Sequence, residues 1–369
     1  MEIPLSRPDI TQAERDAVNE TMQSPQLSLG PRLGEMERLV ADFVGAKFAA
    51  AVNSRTSGLH LCLKAMGIGS GDEVITTPFS FIASSNCIMF DGGRPVFVDI
   101  DPETWNIDPA RIAAAVTPRT RGVVAVDVFG LPADMDPIRE TAKRHQLRLL
   151  EDSCEALGAS YKGRSAGLLG EAGVFGFYPN KQVTTGEGGM IVTDDESIYH
   201  MVVSLRNQGR DSHGGWLAHA RLGYNFRLSE INCALGIAQM RRIDEILANR
   251  ERVAGYYLHR LRDLPQITMQ RIPTNCRISW FVMVVRLRDD YTREDRDRML
   301  EKLRARGIGC NNYFPPIHLQ PFYREEFGYG PGDFPVCEAL ADRTIALPFH
   351  GQLTEPEVDI ACQTLRELL

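Results

Sequence analysis

Between residues 47 and 152 the chain alternates short apolar runs with helical ones, and this alternation constrains its fold more than any other feature. FAAAVN is followed by TSGLHLCLKAMG, EVITTPF by SFIASSNCIMF, and RPVFVDI by DPARIAAAV; GVVAVDV then leads through a helical pattern over 133–146 into LRLLED. Strands that return through helices pair in parallel, and a parallel sheet needs cover on both faces. The fold class expected is α/β, with a mostly parallel sheet flanked by helices. Ligands of such sheets gather at the carboxyl ends of the strands. Three polar clusters fall there: residues 53–57, Asp127, and residues 151–155.

Ahead of the alternation, Thr11 and Glu14 have capping-box spacing before one helix, and a second helical pattern covers 31–44. A longer pattern covers 229–264, about nine to ten turns if unbroken. Such a helix is expected to kink or to link two domains. Beyond Pro265 come a strand ISWFVMVVRL, a charged helix over 292–306, a strand IGCNNYF and a last helix opened by Thr354 and Glu357. The expected division is a large domain over 1–250 and a small C-terminal α+β domain over 251–369.

Residues 173–195, GVFGFYPNKQVTTGEGGMIVTDD, place Lys181 between two strand-like runs. Val174, Phe175, Phe177 and Tyr178 suit a half-buried strand, as do Met190, Ile191 and Val192. Gly186, Gly188 and Gly189 are expected to take positive φ and fold the chain back. A glycine turn with a solvated lysine gives the same pattern. Asp152 ends the apolar run LRLL; such a carboxylate either caps the next helix or faces a cation. Glu155, three residues on, lies on the same side of a helical turn. Thr56 and Ser57 follow a strand and open a helix, where hydroxyls and free amides cap the helix or bind a phosphate. Phe81 is a core side chain or a platform for a planar ring.

Lysine, carboxylate, hydroxyl pair and aromatic together suit pyridoxal phosphate, which needs an amine for its aldehyde, an anion for its ring nitrogen and a phosphate cup. A nicotinamide site would want G-x-G-x-x-G after the first strand, where the chain has NSRTSG. G-x-x-x-x-G-K-[ST], H-E-x-x-H and G-x-S-x-G are all absent.

At these residues the chain resembles the DegT/DnrJ/EryC1/StrS sugar aminotransferases, pyridoxal-phosphate enzymes of fold type I, like aspartate aminotransferase. The carriers are GDEVITTPFSFIASSN, PVFVDIDPETWNIDP, LLEDSCEALGASYKGR, GVFGFYPNKQVTTGEGGMIVTDD, SLRNQGR, LGYNFRLSEINCALGIAQM and YFPPIHLQPFY, spread over nearly the whole length. The resemblance implies Lys181 as the Schiff-base lysine, Asp152 as partner of the ring nitrogen, Phe81 as the stacking residue and Glu155 beside the ring hydroxyl. It implies Thr56 and Ser57 as phosphate ligands, and Asn225 as a residue reaching the cofactor of a neighbouring subunit, hence a homodimer with shared active sites. The chain departs from the pattern at Gly176, where many members have serine, and at Arg55, where many have glycine. Arg55 is expected to supplement the phosphate site, to meet an anionic substrate, or to face solvent. Tyr313 and His318, in the proline-stiffened YFPPIHLQPFY, are candidates for substrate contact; an ordinary structural loop satisfies the same pattern.

The activity implied is transfer of an amino group, from glutamate most often, to a nucleotide-linked keto-sugar, with pyridoxamine phosphate as the intermediate cofactor form. Dehydratases that resemble this family carry histidine in place of the lysine, so Lys181 speaks against deoxygenation. A regulatory protein retaining the fold is the remaining alternative, and the set Lys181, Asp152, Thr56 and Asn225 argues against it. Net charge is −7 with scattered Lys and Arg, so nucleic acid is not an expected partner. The eight cysteines form no C-x-x-C pair and no metal-type spacing; no metal is expected. Neither a secretion signal nor a membrane span is read, and the expected location is the cytoplasm.

Overall fold

Residues 2–211 and 218–369 are described by a computed structural model. The alternation of the sequence is realised as α1 (Gln12–Met22), α2 (Pro31–Val44), β1 (Phe48–Val52), α3 (Arg55–Ala65), β2 (Glu73–Thr76), α4 (Ala83–Met89), β3 (Arg94–Phe97), α5 (Pro109–Ile112), β4 (Thr120–Val126), α6 (Met135–His145) and β5 (Arg148–Asp152). A hairpin of β6 (Ser160–Tyr161) and β7 (Arg164–Ser165) follows, then β8 (Ala172–Gly176), β9 (Gly189–Thr193) and α7 (Glu196–Arg206). Seven of these strands form one sheet in the order β1-β9-β8-β5-β4-β2-β3. Pairing is parallel from β8 through β5, β4 and β2 to β3, and antiparallel only where β9 meets β8 and β1. Val74, Ile75, Val123, Val124, Leu149 and Leu150 are buried, as strands covered on both faces require. The capping box at Thr11 and Glu14 opens α1, and α2 starts on Pro31 and ends at left-handed Gly45.

The long helical pattern is two helices, α8 (Glu230–Met240) and α9 (Ile243–Leu261). They break at Arg241 and Arg242, where Arg242 has φ −123 and ψ 25. Its guanidinium turns to the N-terminal segment, with Nε donating to Glu14 at 2.7 Å and an ion pair to Asp9 at 3.1 Å. α9 then joins two cores: Ile243 packs with α2, β1 and β9, whereas Val253, Ala254, Tyr257 and Leu261 belong to the C-terminal core. That second core is built on β10 (Ile267–Met269), β12 (Met283–Leu287) and β13 (Thr344–Leu347), an antiparallel sheet in the order β10-β12-β13. Between β10 and β12, β11 (Cys276–Arg277) reaches back to pair with β6. α10 (Arg293–Ala305), α11 (Pro321–Phe327), α12 (Pro335–Ala341) and α13 (Glu355–Leu368) complete the chain.

Two expected strands are shorter than read. Of ISWFVMVVRL only residues 283–287 pair as β12, and IGCNNYF makes isolated bridges alone, Ile308 to Ile3 and Asn311 to Ala346. Asn311 and Asn312 line a cavity while also bonding to β13, Asn311 through its backbone to Ala346 and Asn312 by accepting the Thr344 hydroxyl at 3.0 Å. The bridge to Ile3 also ties the first residues to the C-terminal core, in which Ile3 is buried.

Candidate active site

A cavity of about 650 Å³ opens at the carboxyl ends of β1 and β8, between the large sheet and the segments around Phe281 and Asn311. Ser54, Arg55, Thr56, Phe81, Glu155 and Lys181 all line it. Ladder contacts end at the pair Gly176 and Gly189, and residues 177–188 make an excursion that carries the lysine. Of the three glycines expected to take positive φ, Gly186 and Gly188 do so, at +80 and +159. Gly189 serves close approach instead: a Cβ there would meet the Arg55 amide nitrogen at 2.8 Å.

Lys181 is not a solvated turn residue. It is 7% exposed, its Nζ donates to Glu155 Oε1 at 3.0 Å, and the same nitrogen lies 3.7 Å from the centre of the Phe281 ring. Burial pushes its pKa below the usual lysine range; Glu155 opposes the shift and Arg55 adds to it. An amine held this way spends more time as free base, the form that attacks a carbonyl or accepts a proton. The second Glu155 oxygen accepts the Phe129 amide at 3.0 Å, which fixes the carboxylate.

Asp152 ends β5, 2% exposed and behind the cavity wall. Ser84 Oγ in α4 donates to Asp152 Oδ2 at 2.5 Å, and the Cys154 amide donates to Oδ1 at 3.3 Å. The neighbouring strand-end carboxyls have other work. Asp127 takes the Ser153 hydroxyl at 2.6 Å and the Ala133 amide at 3.0 Å; burial, Glu151 and Asp152 push its pKa well up. Glu151 accepts amides of Gly167, Leu169 and Gly170, and burial raises its pKa too.

Thr56 faces the cavity with Ser54, at the N-terminus of α3. Ser57 is turned into the cap: its amide donates to Ser54 Oγ at 3.1 Å and its hydroxyl to Asn53 Oδ1 at 2.8 Å. Phe81 is 51% exposed and lines the cavity, so it is not a core side chain. The Arg55 guanidinium lies 4.6 Å above its ring. The chain's two departures from the resemblance touch each other, since a Cβ on Gly176 would meet Arg55 Cδ at 3.2 Å and the Cys154 carbonyl at 3.3 Å. With Arg55 present, a side chain at 176 would require its neighbours to give by a few tenths of an ångström.

Tyr313 lines the cavity, and burial pushes its phenol pKa up. His318 does not. It is fully buried, its Nε2 lies 3.0 Å from Glu338 Oε1, and its ring meets Phe334 edge-on at 4.7 Å. The expected substrate contact is thereby corrected to a packing role, because no face of this imidazole reaches the cavity. Asn225 is exposed, paired through its backbone with Asn207, and outside this chain's own cavity lining. Ser84 stands three residues after Phe81 in FSFIASSN, a hydroxyl that sequence reasoning passed over; Phe281 and Asn180 carried no signal at all.

Pyridoxal phosphate fits these residues. An amine, an aromatic wall and a helix N-terminus line one cavity with a buried acid behind it, and Asn180, another lining residue, has a buried carbonyl oxygen with no donor among the described residues. Among the described residues no group of three His, Cys, Asp or Glu side chains is placed to hold a metal ion, and no helix is long and apolar enough to cross a membrane.

Known proteins match along the whole chain. The sequence model of the DegT/DnrJ/EryC1/StrS aminotransferase family fits residues 8–366. The chain is 39% identical over 369 residues to the GDP-perosamine synthase of Caulobacter vibrioides, covering 100% of this chain and 98% of that protein. Its fold superposes on PseC of Helicobacter pylori, an aminotransferase involved in the biosynthesis of pseudoaminic acid, with TM-score 0.94 and 30% identity over 100% of this chain and 99% of that one. The PLP-form of Spr1654 from Streptococcus pneumoniae, a putative sugar aminotransferase, superposes with TM-score 0.95 at 27% identity, over 100% and 98% of the two chains.

Proposed function

Because the chain belongs to the DegT/DnrJ/EryC1/StrS aminotransferase family, we propose that it transfers an amino group from an amino acid, glutamate by preference, to a nucleotide-linked keto-sugar. The observation that carries this reading is the buried Lys181 amine, held between Glu155 and the Phe281 ring in the wall of the cavity. When bound, pyridoxal phosphate supplies an electron sink that stabilises negative charge on the substrate carbon. Lys181 supplies the amine that holds the aldehyde and, once free, the base that takes and returns a proton at that carbon. Asp152, braced by the Ser84 hydroxyl, would hold a proton at the ring nitrogen. Phe81 offers the face against which a ring packs, and Ser54, Thr56 and the α3 N-terminus receive an anionic group. Arg55 adds a cation to that end, and Tyr313 with Asn311 and Asn312 offers hydroxyl and carboxamide groups to a sugar.

The same reading places a second copy of the chain at the site, in a homodimer to which each subunit contributes Asn225. Its support is the exposure of Asn225 beside Leu222, which is 82% exposed, a large apolar side chain that association would cover. The test is glutamate-dependent amination of a panel of nucleotide-linked keto-sugars, with borohydride trapping to locate the lysine. Pyridoxyl mass on the Lys181 peptide and turnover of one panel member are expected; label on Lys143 or Lys162, or no turnover with any sugar, overturns the reading.

A further inference from the structure

Arg250, in the middle of α9, is 4% exposed, and every hydrogen bond it makes among the described residues goes to a main-chain carbonyl. One terminal nitrogen donates to Asn180 O at 3.3 Å and Lys181 O at 2.7 Å. The other donates to Trp280 O and Phe281 O, both at 3.3 Å. A buried cation is costly, and carboxylates rather than carbonyls usually offset that cost. Burial lowers the pKa of this guanidinium to about 10, so it remains charged at neutral pH. The two chain segments it joins are those that meet at the reactive amine, since Phe281 puts its ring 3.7 Å from Lys181 Nζ.

We propose that Arg250 is a positioning residue for Lys181, its planar fork holding the backbone of the lysine and the backbone of Phe281 at a fixed spacing so that the amine stays pressed against the ring and out of water. The proposal rests on Lys181 being the reactive amine. The fork is the essential feature. Four donors in one plane span two pairs of carbonyls, whereas a lysine ammonium supplies a charge at one point and cannot bridge both. The titratable and charged groups facing the amine are Glu155, Arg55 and Cys154, with Tyr313 and Glu187 in the same wall; Asp9 and His350 face Arg250 itself.

The experiment compares wild type, Arg250→Lys and Arg250→Met as apoproteins mixed with pyridoxal phosphate. The rate at which the amine condenses with the added aldehyde is followed by visible absorbance across pH, with circular dichroism and melting as controls for folding. Loss of the clamp lets water reach the amine, favours its protonated form and moves the rate profile to higher pH. A shift of about one pH unit, equivalent to roughly tenfold slower condensation at neutral pH, is expected in both variants. Arg250→Lys keeps the charge, so a scaffold that needed only a cation would show no shift in that variant. Wild-type profiles in folded Arg250→Lys and Arg250→Met overturn the proposal, and so does loss of folding in both, which would make Arg250 a scaffold residue. Borohydride label on Lys181 in the wild type separates the two questions: label elsewhere sinks the lysine reading, whereas label on Lys181 with unshifted profiles sinks only the clamp.

Discussion

Lys181 shows how burial changes the behaviour of a single lysine. Its pKa is lowered chiefly by burial, so between that lowered value and the usual 10.5 the unfolded chain holds a proton that the folded chain has partly released. Stability then rises with pH across the window, and the full cost of the buried amine applies below it. Urea unfolding of apoprotein should therefore show the difference between wild type and Lys181→Met moving in favour of wild type from neutral pH towards 10.5; a difference independent of pH would contradict this. Asp152 accepts the Ser84 hydroxyl, so its proposed role is tested at both residues. Asp152→Asn should retain the fold and lower the transamination rate roughly a hundredfold or more, since an amide cannot keep a ring nitrogen protonated. Ser84→Ala, which removes one hydrogen bond to a charged group, should cost about tenfold. Equal turnover in Ser84→Ala and wild type, measured in the single-turnover half-reaction with glutamate, would show that Ser84 does not brace the acid.

At the scale of elements, the segment from Tyr313 to α11 divides into a wet part and a dry part. Tyr313 and Asn312 line the cavity, whereas His318 and Tyr323 are buried, the latter donating to Ser85 Oγ at 2.7 Å in α4. The dry half staples this loop to the large sheet. His318→Ala should lower stability by about 2–4 kcal/mol, the usual penalty for emptying a packed site, and leave the Michaelis constant for the sugar nucleotide unchanged. A raised constant in a variant of unaltered stability would restore the substrate contact that the sequence suggested.

The whole molecule enters through Asn225, which lies outside its own subunit's cavity. In the proposed dimer with shared sites, Lys181→Ala fails through its own lysine, and Asn225→Asp fails by setting a carboxylate against a phosphate. Each mixed dimer then carries one site with both defects and one with neither. Mixing the two inactive proteins should restore up to about half the activity of those dimers. Confirmed subunit exchange without recovery would place Asn225 in its own subunit's site.

The parallel sheet, the buried strand-end Asp152 and the exposed turn of Gly186 were legible because each is written in a few consecutive residues: an alternation, an apolar run ending in an acid, a glycine cluster after a lysine. The break at Arg241 and Arg242 was legible only as excessive helix length. Nothing local marked where it falls; there Arg242 pairs with Glu14, 228 residues away. His318 was misassigned for the same reason, because a proline-stiffened loop has two sides and the sequence does not say which one Glu338 occupies. Sequence alone thus determined the architecture and the chemical types that converge at the strand ends. Tertiary structure alone decided that Ser84 braces Asp152 across 68 residues and that Arg250 holds the Lys181 carbonyl across 69. Periodicity encodes which face of an element is buried, whereas a polar contact between distant elements depends on how those faces finally pack.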